Sequence, residues 1–402
     1  MRILQIHNRH KGRGGADFVV DHEAELLEAA GHRTERYFHP SAEETGGSGL
    51  SQGVKAIWNA EACRDVDRLI KIFDPDVVHV HTPFPLLSPA IFRVAARHGK
   101  PAVTTAHSFR YSCVRGTCLR DGEICEDCVG KAAKLPGIRH RCYHDSLAGS
   151  AALTLGLTTH RVLGTFRRHV DRFITLTDFA RQLLVRDGVA ADKVVVKPNS
   201  ILDPGAAPTR DGAASYAAFV GRFVGEKGIE TLLRAWRSEG IKIPLRIAGD
   251  GPLRSLVDAE AARNPMVESV GWLNEAQLND FVSGAELVVV PSQWYEAGEP
   301  LVLLRALALG RPAIVSDLDN ICATVRETDS GRTFAVGDAQ ALADAVAACV
   351  DQLDELRAMG RRGRAAYERG FTPQRNLEQL EAIYRDVQRV QRERQSSPRR
   401  SS

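Results

Sequence analysis

Short β-branched runs alternate with longer stretches whose apolar residues return every three or four positions, almost from one end of the chain to the other. RILQI (2–6), DVVHV (76–80), PAVTT (101–105), RFITL (172–176) and KVVVK (193–197) read as buried strands. Between them lie helical patterns such as 16–30, with Ala16, Val19, Val20, Leu26 and Leu27 at apolar positions, and 86–98. A second set comprises YAAFV (216–220), LRIAG (245–249), MVESV (266–270), ELVVV (286–290) and PAIVS (312–316), each followed by a helical pattern. Strand, helix, strand in this order predicts βαβ units around parallel sheets, an α/β fold. The segment PNSILDPGAAPTRDGAAS (198–215) has no period and is rich in Gly, Pro and Ala. It reads as a linker. The prediction is two Rossmann-like domains, 1–198 and 216–372, joined by 199–215. A helix over 373–390 and a disordered basic tail over 391–402 follow.

Composition adds limits. A chain of 402 residues exceeds what one core usually supports, in keeping with two domains. With 44% hydrophobic and 26% charged residues and a net charge of +3, nothing points to a nucleic-acid partner. The strand at Met1–Ile6 runs at once into His7, Asn8, Arg9, His10 and Lys11, leaving no signal-peptide core, and no apolar run reaches membrane length. A cytoplasmic protein is expected. The basic tail offers peripheral contact with acidic lipid at the inner membrane face, although a solvated charge run is the preferred reading.

In open α/β sheets ligands bind beyond the carboxyl ends of the strands, so the loops there carry the candidates. After the first strand comes HNRHKGRGGADF, where Gly12 and Gly14 fit two positions of a dinucleotide fingerprint and Asp17 occupies the third. That spoils the nicotinamide reading. Gly14 and Gly15 still permit close backbone approach at a helix start, where an anion or a hydroxyl-rich ligand can sit. After the first strand of the second half, GRFVGEKGIETLLRAW (221–236) places Arg222 and Lys227 before a helix. Two cations there, with free backbone N–H groups, would make a diphosphate clamp that needs no metal, the alternative being a surface pair of charges, which is the preferred reading for Lys227 taken alone. Two D-x-D pairs, Asp74–Asp76 and Asp317–Asp319, have metal-binding spacing, but the first precedes its strand and therefore lies at the wrong sheet edge.

GRFVGEKGIETLLRAW, IAGDGPLRSL, PSQWYEAGEPLVLLRALALGRPAIVSD and GRTFAVGDAQALADAV, in this order, resemble the carboxyl half of GT-B glycosyltransferases of family 4. GGADFV, PDVVHVH, TTAHSF and VVKPNSI extend the likeness to the first half. The resemblance implies a retaining, metal-independent transfer of a sugar from a nucleotide diphosphate-sugar held by the second domain. The acceptor, a saccharide, a lipid-linked saccharide or a small molecule, would be held by the first, onto which the last helix crosses back. It places Gly221 and Gly251 on the donor side, with Glu299, Pro300 and Leu301 at the helix start facing the distal phosphate. The family pattern is a glutamate for the donor sugar, seven residues, and a second glutamate for the ribose hydroxyls. Here Glu296 and Glu299 compete for the first role and Arg305 stands at the second. Guanidinium only donates hydrogen bonds, whereas a carboxylate accepts them from a diol. An enzyme with altered donor recognition, a weak enzyme and a nucleotide-sugar-binding protein therefore all remain open. His107, in TTAHSF, matches the histidine that the family places near the reacting sugar. His79 reads as packing and His81 as a lesser candidate.

Five of the eight cysteines fall within 113–142, in a 106–146 insertion. Cys125-x-x-Cys128 can chelate from one turn, with Cys113 and Cys142 at distances a loop can close. Clustered thiols in a cytosolic chain favour metal over disulfide. Some family 4 members resemble this insertion, which supports these four as the set, with zinc the first expectation, iron–sulfur the second, and Cys118 spare.

Overall fold

The computed structural model describes residues 1–9, 14–40, 49–206 and 216–396. Gly12, the linker residues 207–215 and the tail residues 397–402 lie outside them. The chain forms two compact units, one of residues 1–118, 125–198 and 376–402, the other of residues 119–124 and 199–375.

The first unit carries a six-stranded parallel sheet in the order β2-β1-β3-β4-β7-β8. Its strands are β1 Arg2–Asn8, β2 Arg33–His39, β3 Val77–Thr82, β4 Ala102–Thr105, β7 Arg172–Thr175 and β8 Val194–Val196. β5 Leu119–Arg120 and β6 Glu123–Ile124 form a separate antiparallel hairpin. The sheet of the second unit, also parallel, has the order β11-β10-β9-β12-β13-β14. Its strands are β9 Ala217–Val220, β10 Leu245–Ala248, β11 Val267–Gly271, β12 Leu287–Val290, β13 Ala313–Ser316 and β14 Gly331–Phe334. Each sheet thus holds one strand the hydrophobic pattern did not predict. β2 is an edge strand, RTERYFH, mostly half-buried, so it has no apolar run to show. β14 is four residues long.

Alternation sorts the first sheet into two faces. Leu4, Ile6, Val78 and Val80 point into one core with Val66, Ile70, Phe92 and Phe173. Ile3, Val77, Val103 and Ile174 point into the other, closed by Leu27 and by Leu380, Tyr384 and Val387 of the last helix. Burying each of those aliphatic side chains contributes roughly 1.5–3 kcal/mol, enough to seat this helix on the first unit. The helix runs over Pro373–Ser396, so the disordered tail expected from 391 is corrected: residues 391–396 are helical. Their charges pair along and beside the helix, Arg389 with Glu393 and Arg394 with Asp171, which the polar composition alone could not show.

On that second face four strands change character as they run toward their carboxyl ends. Ile3 gives way to Gln5 and His7, Val77 to His79 and His81, Val103 to Thr105 and His107, and Val195 to Lys197. All but His107 and Val195 are fully or almost fully buried. An apolar floor thereby becomes a polar rim at the sheet edge where ligands bind in such folds.

Candidate functional site

In the second unit the loops after β9, β10 and β12 press together through glycine. Gly228 sits at φ +72°, and a Cβ there would come within 1.9 Å of the Pro291 carbonyl oxygen. Gly251, at φ +154°, has the Phe223 backbone 2.8 Å from where its Cβ would stand. Only glycine tolerates both the angle and the approach. Gly221, whose added Cβ would meet the Phe219 ring at 3.2 Å, opens the same turn.

This compression brings together two residues that the sequence had left in separate motifs. Lys227, at the end of a 3-10 turn over Gly225–Lys227, donates to Glu296 Oε1 at 2.5 Å. Ser292 Oγ at 3.0 Å and Trp294 Nε1 at 2.9 Å donate to the same oxygen. The Trp294 ring lies 5.7 Å from the ammonium, within cation–π range. Asn320 donates to the Glu296 carbonyl at 2.7 Å, so this residue is held from both ends. Arg222 is exposed on the same loop.

Glu299, the rival carboxylate, stands in different surroundings. Burial pushes its pKa up to about 7, against its own backbone N–H and the Thr324 hydroxyl, which donates at 3.3 Å. Oε2 has no hydrogen-bond partner among the described residues. Near neutral pH Glu299 is therefore partly uncharged, whereas Glu296 faces an ammonium. Pro300 precedes the Leu301–Ala308 helix as its N-cap. Four residues into that helix, Arg305 turns to the Glu275–Gly284 helix, donating to Asn279 Oδ1 at 2.6 Å and Glu275 Oε1 at 2.5 Å.

Both D-x-D pairs have protein partners. Asp74 caps the Ala60–Phe73 helix and binds Lys100, and Asp76 accepts from the Arg2 N–H. Asp317 pairs with Arg326, and Asp319 begins the Asp319–Thr328 helix.

In the first unit Gly14 is the N-cap of the Gly15–Ala29 helix, and its N–H donates to Asp17 Oδ2 at 2.9 Å. Asp17 Oδ1 shares a 3.0 Å hydrogen bond with His7 Nε2. The residue that would have completed a dinucleotide fingerprint is thus occupied locally. Beneath it lies a buried polar cluster. Lys197 donates to Glu23 Oε1 at 2.6 Å and to Asn376 Oδ1 of the last helix at 3.1 Å. Burial opposes the charge on Glu23, but Lys197, together with the neighbouring histidines, outweighs it and holds the pKa below the usual carboxylate value. His79, expected to be packing, is fully buried and spends Nδ1 on the Tyr384 hydroxyl at 2.7 Å and Nε2 on Thr105 at 2.8 Å. His81 Nδ1 and His107 Nε2 share a 3.1 Å hydrogen bond. Burial holds His79 and His81 well below the usual imidazole range and His107 down to about 3, so all three are neutral.

Glu23, Lys197 and Tyr384 were missed by sequence reasoning, though signals existed. Glu23 interrupts an apolar helix face at Val20, Ala24 and Leu27, and Lys197 ends a buried strand pattern. Glu23, His79 and His81 are also the one set of three or more His, Cys, Asp or Glu among the described residues whose candidate ligand atoms all lie within 4.8 Å of one another. The Lys197 ammonium beside Glu23, and the two hydrogen bonds of His79, already fill roles that a metal would take.

Cys113, Cys125, Cys128 and Cys142 do not form such a set. A tetrahedral thiolate site would need all four sulfurs about 3.8 Å apart. The Cys113 thiol is nevertheless held down to about 5 by a hydrogen bond with Cys118 and by the backbone N–H groups of Gly116, Cys118 and Arg115. Burial pushes Cys128 and Cys142 up. Cys118, set aside as spare, is the direct neighbour of Cys113.

Comparisons with known proteins bear on both units. Residues 13–201 match Glycosyltransferase Family 4, and residues 214–352 match Glycosyl transferases group 1. An alpha-D-kanosaminyltransferase of Streptomyces kanamyceticus is 27% identical over 176 residues, 42% of this chain and 45% of that relative, so the match spans under half of its length. The sucrose-phosphate synthase structure from Thermosynechococcus elongatus superposes with a TM-score of 0.69 at 18% identity, covering 97% of this chain and 99% of that one. Anabaena HepE in complex with UDP gives a TM-score of 0.68 at 15% identity, covering 96% and 100%. With two parallel-sheet Rossmann-like units and a glycosyltransferase domain matched in each, the chain has the GT-B fold of glycosyltransferases.

Proposed function

We propose that the chain transfers a glycosyl group, with retention, from a nucleotide diphosphate-sugar to a hydroxyl of a saccharide, lipid-linked or small-molecule acceptor. The observation that carries this is the Lys227–Glu296 pair, with exposed Arg222 on the same loop as Lys227, at the carboxyl edge of the second sheet. As the sugar–phosphate bond breaks, its electrons move onto the departing diphosphate. Two cations at fixed positions offset that charge, which is where electrostatic catalysis gains most. The acceptor oxygen bonds to the same sugar carbon and passes its proton to the departing diphosphate oxygen. Glu296 holds the ammonium in place and offers a carboxylate to the sugar hydroxyls. No catalytic metal enters this reading. A UDP complex among the structural neighbours supports a nucleotide donor. A structural zinc in the cysteine loop and contact with acidic lipid belong to the same proposal as secondary features.

Incubating purified chain with UDP-, GDP- and ADP-sugars tests it. The donor should raise the melting temperature, since ligand bound to the folded state stabilises it, and an acceptor screen should release the nucleoside diphosphate. No stabilisation by any donor would count against the reading. One observation favours a second reading, a nucleotide-sugar-binding protein without turnover: the position of the second family glutamate holds Arg305, which is turned to a neighbouring helix. Stabilisation by a donor without nucleotide release across the acceptor screen would select it.

A further inference from the structure

Two buried polar atoms of the first unit face each other without a direct hydrogen bond. Glu23 Oε2 and His81 Nε2 lie 3.8 Å apart, and neither has a hydrogen-bond partner among the described residues. Both side chains are at most 1% exposed. A gap of that length exceeds a direct hydrogen bond and suits either a small closure or one bridging water. In both cases the carboxylate chooses the tautomer. A lone pair on His81 Nε2 would point at negative charge, whereas an N–H there would point at it favourably.

We propose that Glu23 and His81 are positioning residues that fix the proton of His107. Glu23 draws the His81 proton onto Nε2. His81 Nδ1 then bears the lone pair and accepts from His107 Nε2–H across their 3.1 Å contact. The ring planes are within 20° of each other, which lets the N–H of one lie in the plane of the other. With its proton committed to Nε2, His107 carries its lone pair on Nδ1 and is an acceptor there, suited to a hydroxyl of the donor sugar. Lys197 keeps Glu23 anionic, and Tyr384 and Thr105 hold His79 against the His81 ring, whose centroid is 4.0 Å away. The functional half of this inference rests on the reading that His107 meets the donor; the tautomer chain does not.

The test is the full chain labelled with 15N-histidine, with ring signals assigned from single-histidine variants and each nitrogen classed as protonated or not. In the wild type, His81 and His107 should each show a protonated Nε2 and an unprotonated Nδ1. The variant E23Q/K197M removes both charges, so no buried ammonium is stranded, and H81F removes the acceptor. In both, the His107 signals should shift toward a tautomer mixture, and kcat should fall roughly 10-fold with little change in KM for the donor, as expected for misplacing one hydrogen bond of the transition state. A proton on His107 Nδ1 in the wild type, or an unchanged His107 pattern in both variants, would overturn the chain. A changed pattern with unchanged kcat would overturn its functional half. Failure of the donor reading shows separately, as H107A retaining full transfer.

Discussion

The Arg305 guanidinium, about 5% exposed, meets the 58% exposed carboxylate of Glu275 at 2.5 Å and so joins two consecutive helices of the second unit. A charge with no evident purpose in the apolar pattern of the Leu301–Ala308 helix is explained by its neighbour. R305E would set a carboxylate against Glu275 and leave Asn279 Oδ1 without its donor. The expected loss of stability is about 2 kcal/mol or more, read by denaturant melts. The charge-swapped double variant R305E/E275R should recover much of it. No loss in the single variant would mean that Arg305 is oriented elsewhere.

Lys227 and Arg222 should govern the chemical step. Charged hydrogen bonds of this type are worth about 1.5–3 kcal/mol, so R222A and K227A should each slow transfer by roughly 10- to 150-fold. K227A also leaves Glu296 with only Ser292 and Trp294 as donors, so its donor affinity should change as well. EDTA should leave the parent activity intact. If it abolishes activity while zinc stays bound, Asp317 and Asp319 become the residues to examine.

Glu299 should leave a signature in the pH dependence of stability. Its pKa rises from the ordinary 4.5 to about 7 on folding, so the folded state holds a proton that the unfolded chain releases first. Its contribution is complete below the unfolded value and is lost as pH climbs through about 7. Over that window the wild type should lose up to about 3 kcal/mol relative to E299Q. Parallel stability curves for the two proteins between pH 4 and 8 would refute the assignment.

The cysteine loop is decided by metal analysis. The hydrogen bonds around Cys113 favour a thiolate, and a thiolate in a loop with four further cysteines suits zinc. About one zinc per chain is expected in protein prepared without added metal or chelator, with loss of both metal and protease resistance near 113–142 in C125S/C128S. Finding neither zinc nor iron would sink the proposal.

Much of the fold was legible because buried parallel strands are continuous apolar runs that announce themselves, as in DVVHV and ELVVV. What escaped was set by position within a sheet rather than by composition. RTERYFH is a strand because β1 pairs with it, and nothing in its own residues says so. The candidate site divided in the same way. Glycines and strand-end residues such as Gly228, Lys227 and His107 follow from where ligands bind in such sheets. The partner of Lys227 lies 69 positions away and that of Glu23 174, and no local pattern encodes separations of that size.

The last helix has a consequence for how the chain is made. Leu380, Tyr384 and Val387 close a core whose other walls come from Ile3, Leu27 and Val77. During synthesis those walls emerge first and wait, with apolar surface open, while some three hundred residues are added. The second unit, whose main segment ends at residue 375, has its sequence complete before that core can close. Since domains generally fold as units during synthesis, the unit begun first is finished last, and a chain ended at residue 375 would carry a complete second unit and an unsealed first one.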